Sequence, residues 1–256
     1  MIDAIAYPLA NLLLLFYNFL GHQTVVGIAV LTILIRLLIL PLTLGQQKSA
    51  RKMQELQPEI AKLQKKYAKD KEQLSKEQMK LYQEAGINPM SGCLPLLIQL
   101  PIMFGLYRAI IYCVPTTPLQ LFQFSHHIYK WLPGVVGLVP LQSTFLGMDL
   151  GQPPSVAQWW SYALPVLVLV TSWLQQKFLT PPTAGDDQSQ AGMMNQQMQI
   201  MMPLMFGLMS IQFATGLSFY FIISNLIGIA QYYFIRGDQS AKGARGSGQV
   251  QQSKQK

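Results

Sequence analysis

Apolar residues run in long blocks over 24–44, 92–114, 159–178 and 217–235, and the methionine-rich stretch 198–214 is shorter but nearly unbroken. As α-helices rising about 1.5 Å per residue, blocks of this length cross a hydrocarbon core about 30 Å thick. The pattern predicts five membrane spans. Ahead of them, Ile2, Ile5, Leu9, Leu12, Leu13, Phe16 and Leu20 form a stripe that Asp3, Asn11 and Asn18 interrupt around the helix. Such amphipathicity predicts an interfacial helix over 1–22 lying on the outer face, with a sixth span as the alternative.

Between the first two blocks the period changes. Met53, Leu56, Ile60, Leu63 and Tyr67 recur at spacings of three, four, three and four, a heptad seam that marks one helix of a packed pair. Its partner is expected to open at a Ser75–Gln78 capping box, to carry Leu74, Leu81, Tyr82 and Ala85, and to stop at Gly86 before Asn88 and Pro89. With 68–74 as the turn, residues 46–85 read as a helical hairpin outside the bilayer. The fold class is therefore all-α: a polytopic membrane protein with a five-helix transmembrane core over 23–235, an N-terminal interfacial helix and a cytosolic helical hairpin. From Gly237 onward Gly, Ser, Gln and Lys dominate, so 236–256 is expected to be a basic tail, disordered when unbound.

Charge orients this layout. The loop over 45–91 holds ten Lys or Arg, whereas 115–158 holds only Lys130. The first loop is therefore expected in the cytosol and the second outside, with the N-terminus out and the C-terminus in. Half of the residues are hydrophobic and 12% are charged, against roughly one quarter charged in soluble domains. Met1 reads as a genuine start without signal or transit peptide, which favours a bacterial plasma membrane over a thylakoid. Trp131, Trp159 and Trp160 fit headgroup anchors, and Cys93 and Cys113, about 30 Å apart on one helix, cannot pair.

Arg36 is the thirteenth of the 21 residues in its block, where a guanidinium costs about 2.5–3.5 kcal/mol even on the lenient insertion scale. No Asp or Glu occurs in any of the five blocks, so water, polar side chains or a visiting ligand must satisfy it. Thr32 and Thr43 fall on its own face of a straight helix, and other blocks offer Gln99, Thr171, Ser172, Gln175, Ser224, Asn225 and Gln231. Most of these lie at mid-depth or in the cytosolic half, whereas 25–30 and 159–170 are apolar. The weighting suggests a wet groove open to the cytosol; the bland alternative is that small polar residues bridge helices. Pro41, Pro95, Pro101, Pro165 and Pro203 fall in or at the ends of spans and allow a splayed bundle, and the methionines from Met193 to Met209 offer an adaptable apolar surface or ordinary packing.

Enzymatic chemistry finds no residues. His22, His126 and His127 lie outside the spans, so neither a serine–histidine pair nor a metal site assembles there, and no glycine-rich phosphate loop occurs. No cofactor, nucleotide or DNA partner is expected. A small solute or anion transporter using Arg36 would require an inverted repeat, which the sequence lacks.

The stretches GIAVLTILIRLLILPLT, LQPEIAKLQKKY, LYQEAGINPMSGCLPLLIQLPIMFGLY and GLSFYFIISNLIGIAQ resemble the YidC/Oxa/Alb membrane insertases, over about residues 7–235. The resemblance implies a five-helix core around a hydrophilic groove closed to the outside, with Arg36 as its charge. It implies that nascent membrane protein clients slide in along the third and fifth spans, making Thr171, Gln175, Phe221 and Asn225 contact or groove positions. It implies further meetings with membrane lipids, and of the hairpin and tail with the ribosome, signal recognition machinery and general secretory translocon. A pure scaffold or chaperone role stays open. Phe221 stands where relatives often carry tryptophan, and the missing large domain after residue 20 implies a minimal member.

Overall fold

The computed structural model describes residues 2–86, 94–114, 117–129, 137–179 and 190–233. Its helices are α1 (Ile2–Phe19), α2 (Thr24–Leu38), α3 (Leu40–Glu55), α4 (Gln57–Lys66), α5 (Lys71–Glu84), α6 (Leu94–Cys113), α7 (Pro118–Ser125), α8 (Ala163–Leu179), α9 (Gln190–Gln212) and α10, over 215–233. A 3₁₀ turn, Val156–Tyr162, leads into α8, and β1 (Thr144–Phe145) pairs antiparallel with β2 (Met148–Asp149). Cys93, Trp131 and the basic tail lie outside the described residues.

The first block, expected as one span with Pro41 near its end, is broken in two. Residues 24–38 and 40–46 are separate helices meeting at Ile39 with a bend of 58°. Pro41 explains the break: it has no N–H for the Leu37 carbonyl, and its ring crowds that turn. By length and composition α1 passes as a span, and α2 with Leu40–Gln46 passes as one bent span; Leu97–Cys113 and Gln199–Gln212 are apolar but shorter. Pro101 and Pro203, by contrast, lie inside α6 and α9 without ending them.

The hairpin also differs in detail. Its first arm is α3 followed by α4, divided at Leu56 ahead of Pro58 in the first turn of α4. Its second arm starts four residues before the expected Ser75: Asp70 caps α5, its Oδ1 accepting from the Gln73 N–H at 3.0 Å. Asp is as good an N-cap as Ser, and starting earlier also buries Leu74. Gln78, expected to close a capping box, is instead buried and donates to the Tyr82 hydroxyl.

α1 buries a face that only partly overlaps the stripe of its large apolar residues. Ala6, Ala10, Leu13 and Leu14 are fully buried, while Ile2, Ile5 and Leu20 are exposed. Small side chains let the backbones approach closely. A Cβ added at Gly105 of α6 would lie 2.8 Å from Ile5 Cγ2, and the Cys113 thiol reaches the Ala10 carbonyl at 3.5 Å. Asn11, expected on the wet side, is buried, donating to the Tyr7 and His127 carbonyls and accepting from the Tyr129 N–H. Ile28 and Leu31 of α2, Met103, Leu106 and Ile110 of α6, and Leu217 and Tyr220 of α10 complete the core. α8 and α9 leave Val166, Val170, Ile200, Leu204 and Leu208 exposed, a surface that suits lipid better than water.

At the end of the bundle away from α3–α5, the segment 141–152 forms a cap. Thr24 Oγ1 donates to the Gln142 carbonyl at 2.6 Å, the Leu141 N–H to the Cys113 carbonyl at 2.9 Å, and the Gly216 N–H to the Leu150 carbonyl at 2.9 Å. Thr215 adds two bonds to the Gln152 carbonyl, from its N–H and its hydroxyl. The ends of α2, α6 and α10 are thus held by one short piece of chain. The hairpin within it turns through Leu146 and Gly147, both at positive φ (50° and 78°), the geometry that matches strand twist.

Candidate functional site

Arg36 falls in the last turn of α2, just before the bend. Its Nε and Nη2 both donate to Ser224 Oγ of α10, at 2.9 and 2.6 Å. One turn earlier on α10, the buried Tyr220 hydroxyl accepts from Gln99 Nε2 of α6 at 2.8 Å. Three helices distant in sequence thus converge on one guanidinium. All its partners are neutral, and among the described residues no carboxylate pairs with it. The guanidinium is thus half-buried with only a neutral hydroxyl beside it, an arrangement chemically suited to pairing with an anion.

A second polar group lies on the neighbouring face of α10. Asn225 Nδ2 donates to Thr171 Oγ1 at 3.1 Å and to Ser172 Oγ at 2.8 Å on α8, and the Gln175 amide lies against Gly228. The spacings 220–224 and 221–225–228 explain the two faces, since residues four and seven apart share a side of a helix. The bonds from Asn225 clamp α8 to α10. Asn225→Leu is expected to cost about 1–2 kcal/mol, read as a lower melting temperature in detergent micelles, because it leaves the buried Ser172 hydroxyl without its donor and removes the bond to Thr171.

Several expected partners of Arg36 serve elsewhere. Thr32 is buried, and its hydroxyl donates to the Ile28 carbonyl of its own helix at 2.6 Å. Thr43 falls beyond the bend on α3 and donates to the Leu40 carbonyl at 2.9 Å. The face shared by Arg36 and Thr43 existed only for a straight helix. Phe221 is 2% exposed and packs on Phe206 and Tyr220, with ring centroids 5.1 and 5.4 Å away, so it forms part of the core rather than an open contact surface. Gln99 joins the Arg36 group, while Thr171, Gln175 and Asn225 form the second. The sequence alone does not single out Tyr220, and it offers Ser224 only as one polar residue among several; their i, i+4 spacing is the signal that links them.

Comparison with known proteins places these residues in context. The family model described as 60Kd inner membrane protein matches residues 15–242. The chain is 37% identical over 237 residues to membrane protein insertase YidC 2 of Bacillus anthracis, covering 91% of this chain and 80% of that protein. It is 41% identical over 216 residues to membrane protein insertase YidC of Clostridium perfringens, covering 84% and 79%. Among solved structures it resembles an active YidC insertase with its first transmembrane domain resolved, at a TM-score of 0.59 and 30% identity. That match covers 91% of this chain and 46% of the solved one, so the chain spans about half of that protein's length.

Proposed function

The chain belongs to the YidC family of membrane protein insertases, and from that membership we propose that it inserts newly made proteins into the bilayer through a hydrophilic groove charged by Arg36. Its relatives' names make a membrane its location. The observation that carries the reading is the Arg36–Ser224 pair: two bonds to a neutral hydroxyl leave the charge without a counter-ion. An acidic group on a client's polar segment supplies what the fold omits.

In this reading the N-terminus and the 141–152 cap face outward, and the α3–α5 hairpin and the tail face the cytosol. α1 lies along the outer face, packed on α6 and α2. A short polar segment enters from the cytosol, its carboxylate bonds transiently to Arg36, and the client's apolar helix then passes into lipid beside the bundle. Burying that helix in hydrocarbon, at about 25 cal/mol per Å², supplies the driving force without nucleotide. No bond is made or broken, so the role is not enzymatic. Clients and lipids are the direct partners; ribosome, signal recognition machinery and secretory translocon would meet the hairpin and the tail.

Liposomes containing the purified chain and no other translocon test this. A single-span client with a short acidic tail is expected to become protease-protected several-fold above empty liposomes. A protein that only scaffolds its clients would leave them accessible, and that outcome would overturn the reading.

A further inference from the structure

We infer that the C-terminal end of α8 is a binding site for one anionic phospholipid, whose phosphate meets Lys177 and whose acyl chain lies along the helix. The site goes beyond the groove. It rests on α8 crossing the bilayer and uses no residue of the Arg36 group.

Val166, Val170, Trp173 and Lys177 stand at spacings of four, three and four, so they share one face of α8. All four are exposed, Val166 at 60%, Val170 at 48% and Trp173 at 49%. From Val166 to Lys177 the face runs about 16 Å at 1.5 Å per residue, close to half of a hydrocarbon core about 30 Å thick. An apolar strip one leaflet long, ending in a cation, matches the dimensions and polarity of a single anionic lipid.

The cation is held ready. Lys177 Nζ lies 5.1 Å from the Trp173 ring centroid, which keeps the ammonium over the strip. It falls in the last turn of α8, where the free carbonyls favour a positive charge. Among the described residues it has no carboxylate partner. Beside it, Phe178 packs against Tyr232 and Tyr233 of α10, centroids 5.9 and 5.3 Å away, an aromatic group of the kind that settles at headgroup depth. The stem of Lys177 can stay in hydrocarbon while its head reaches the phosphate.

The test uses Trp173 as the reporter. With Trp131→Phe, Trp159→Phe and Trp160→Phe, the full chain is placed in vesicles of phosphatidylcholine or phosphatidylglycerol with brominated chains, and quenching of Trp173 is measured. Phosphatidylglycerol is expected to bind about fivefold more tightly, the preference falling to about one in Lys177→Gln and surviving in Lys177→Arg. Equal quenching with Lys177 present, or a preference that persists in Lys177→Gln, overturns the site. No quenching by either lipid means that α8 does not face lipid, and the span reading then fails too. Native mass spectrometry of the chain with its tryptophans intact gives an independent readout: Lys177→Gln is expected to retain fewer phosphatidylglycerol molecules than the parent, and equal retention overturns the site.

Discussion

Arg36→Ala is expected to lower insertion of an acidic-tailed client by about tenfold to a hundredfold, while Arg36→Lys keeps most of the activity. A hydrogen bond to a charged group contributes about 1.5–3 kcal/mol, and each 1.4 kcal/mol is a factor of ten. Lysine retains the charge without the guanidinium fork, so it tests charge apart from geometry. Stability is expected to move the other way or hardly at all. Removing the guanidinium gives up its bonds to Ser224 but also relieves a burial cost of about 2.5–3.5 kcal/mol. Melting within about 1 kcal/mol of the parent, together with lost insertion, would mark the arginine as functional rather than structural. A client without acidic residues in its tail serves as the internal control and is expected to insert equally well into both. Full activity of the alanine variant toward the acidic client would mean that hydration of the groove, rather than the charge, does the work.

Gly216→Val is expected to destabilise the chain by about 3 kcal/mol, the upper part of the range for overpacking. A Cβ at this position would lie 3.1 Å from the Leu150 carbonyl oxygen, 3.2 Å from Ile110 Cγ2 and 3.5 Å from Ile28 Cδ1. The nearest atom is backbone of the cap, which cannot rotate away as a side chain could. Moving it breaks the Gly216 N–H bond to that same carbonyl and with it the attachment of α10 to segment 141–152. At about 2–4 °C per kcal/mol for a chain of this size, the melting temperature should fall by about 6–12 °C. Limited proteolysis should also cut the 141–152 segment faster. An unchanged melting temperature would show that the cap moves aside freely and contributes nothing to the bundle.

Both sites illustrate how far residue order could be read. Arg36 stands out because a lone cation in an apolar block conflicts with its surroundings, whereas Asn225 and Thr171 are singled out from the other polar residues only by the family resemblance. Ser224 and Tyr220, which complete the arginine's surroundings, do not stand out. A serine or tyrosine in a span is ordinary, and only the approach of α10 to α2 gives these two their role. The cap was invisible: its bonds use backbone groups, which every residue carries. Phe221 entered only through the family resemblance, and its packing on Phe206 and Tyr220 is set by which helix faces meet.

What the order of residues determined by itself was whatever depends on local physics: helices from apolar length, a hairpin from a heptad seam, and membrane character from composition. The unpaired charge belongs here too, because it needed only the absence of acids from the five apolar blocks. What the tertiary structure alone decided was which faces meet. The 58° bend at Ile39 moved Thr43 away from the face of Arg36, although Pro41 was plain to see, because the direction of a bend depends on the packing around it. α1 turned Ala6 and Ala10 inward beside Leu13, Leu14 and Tyr17, a face that only its packing on α6 and α2 selects. Contacts between residues 188 positions apart, such as Arg36 with Ser224, follow from helix packing, and no local period encodes them.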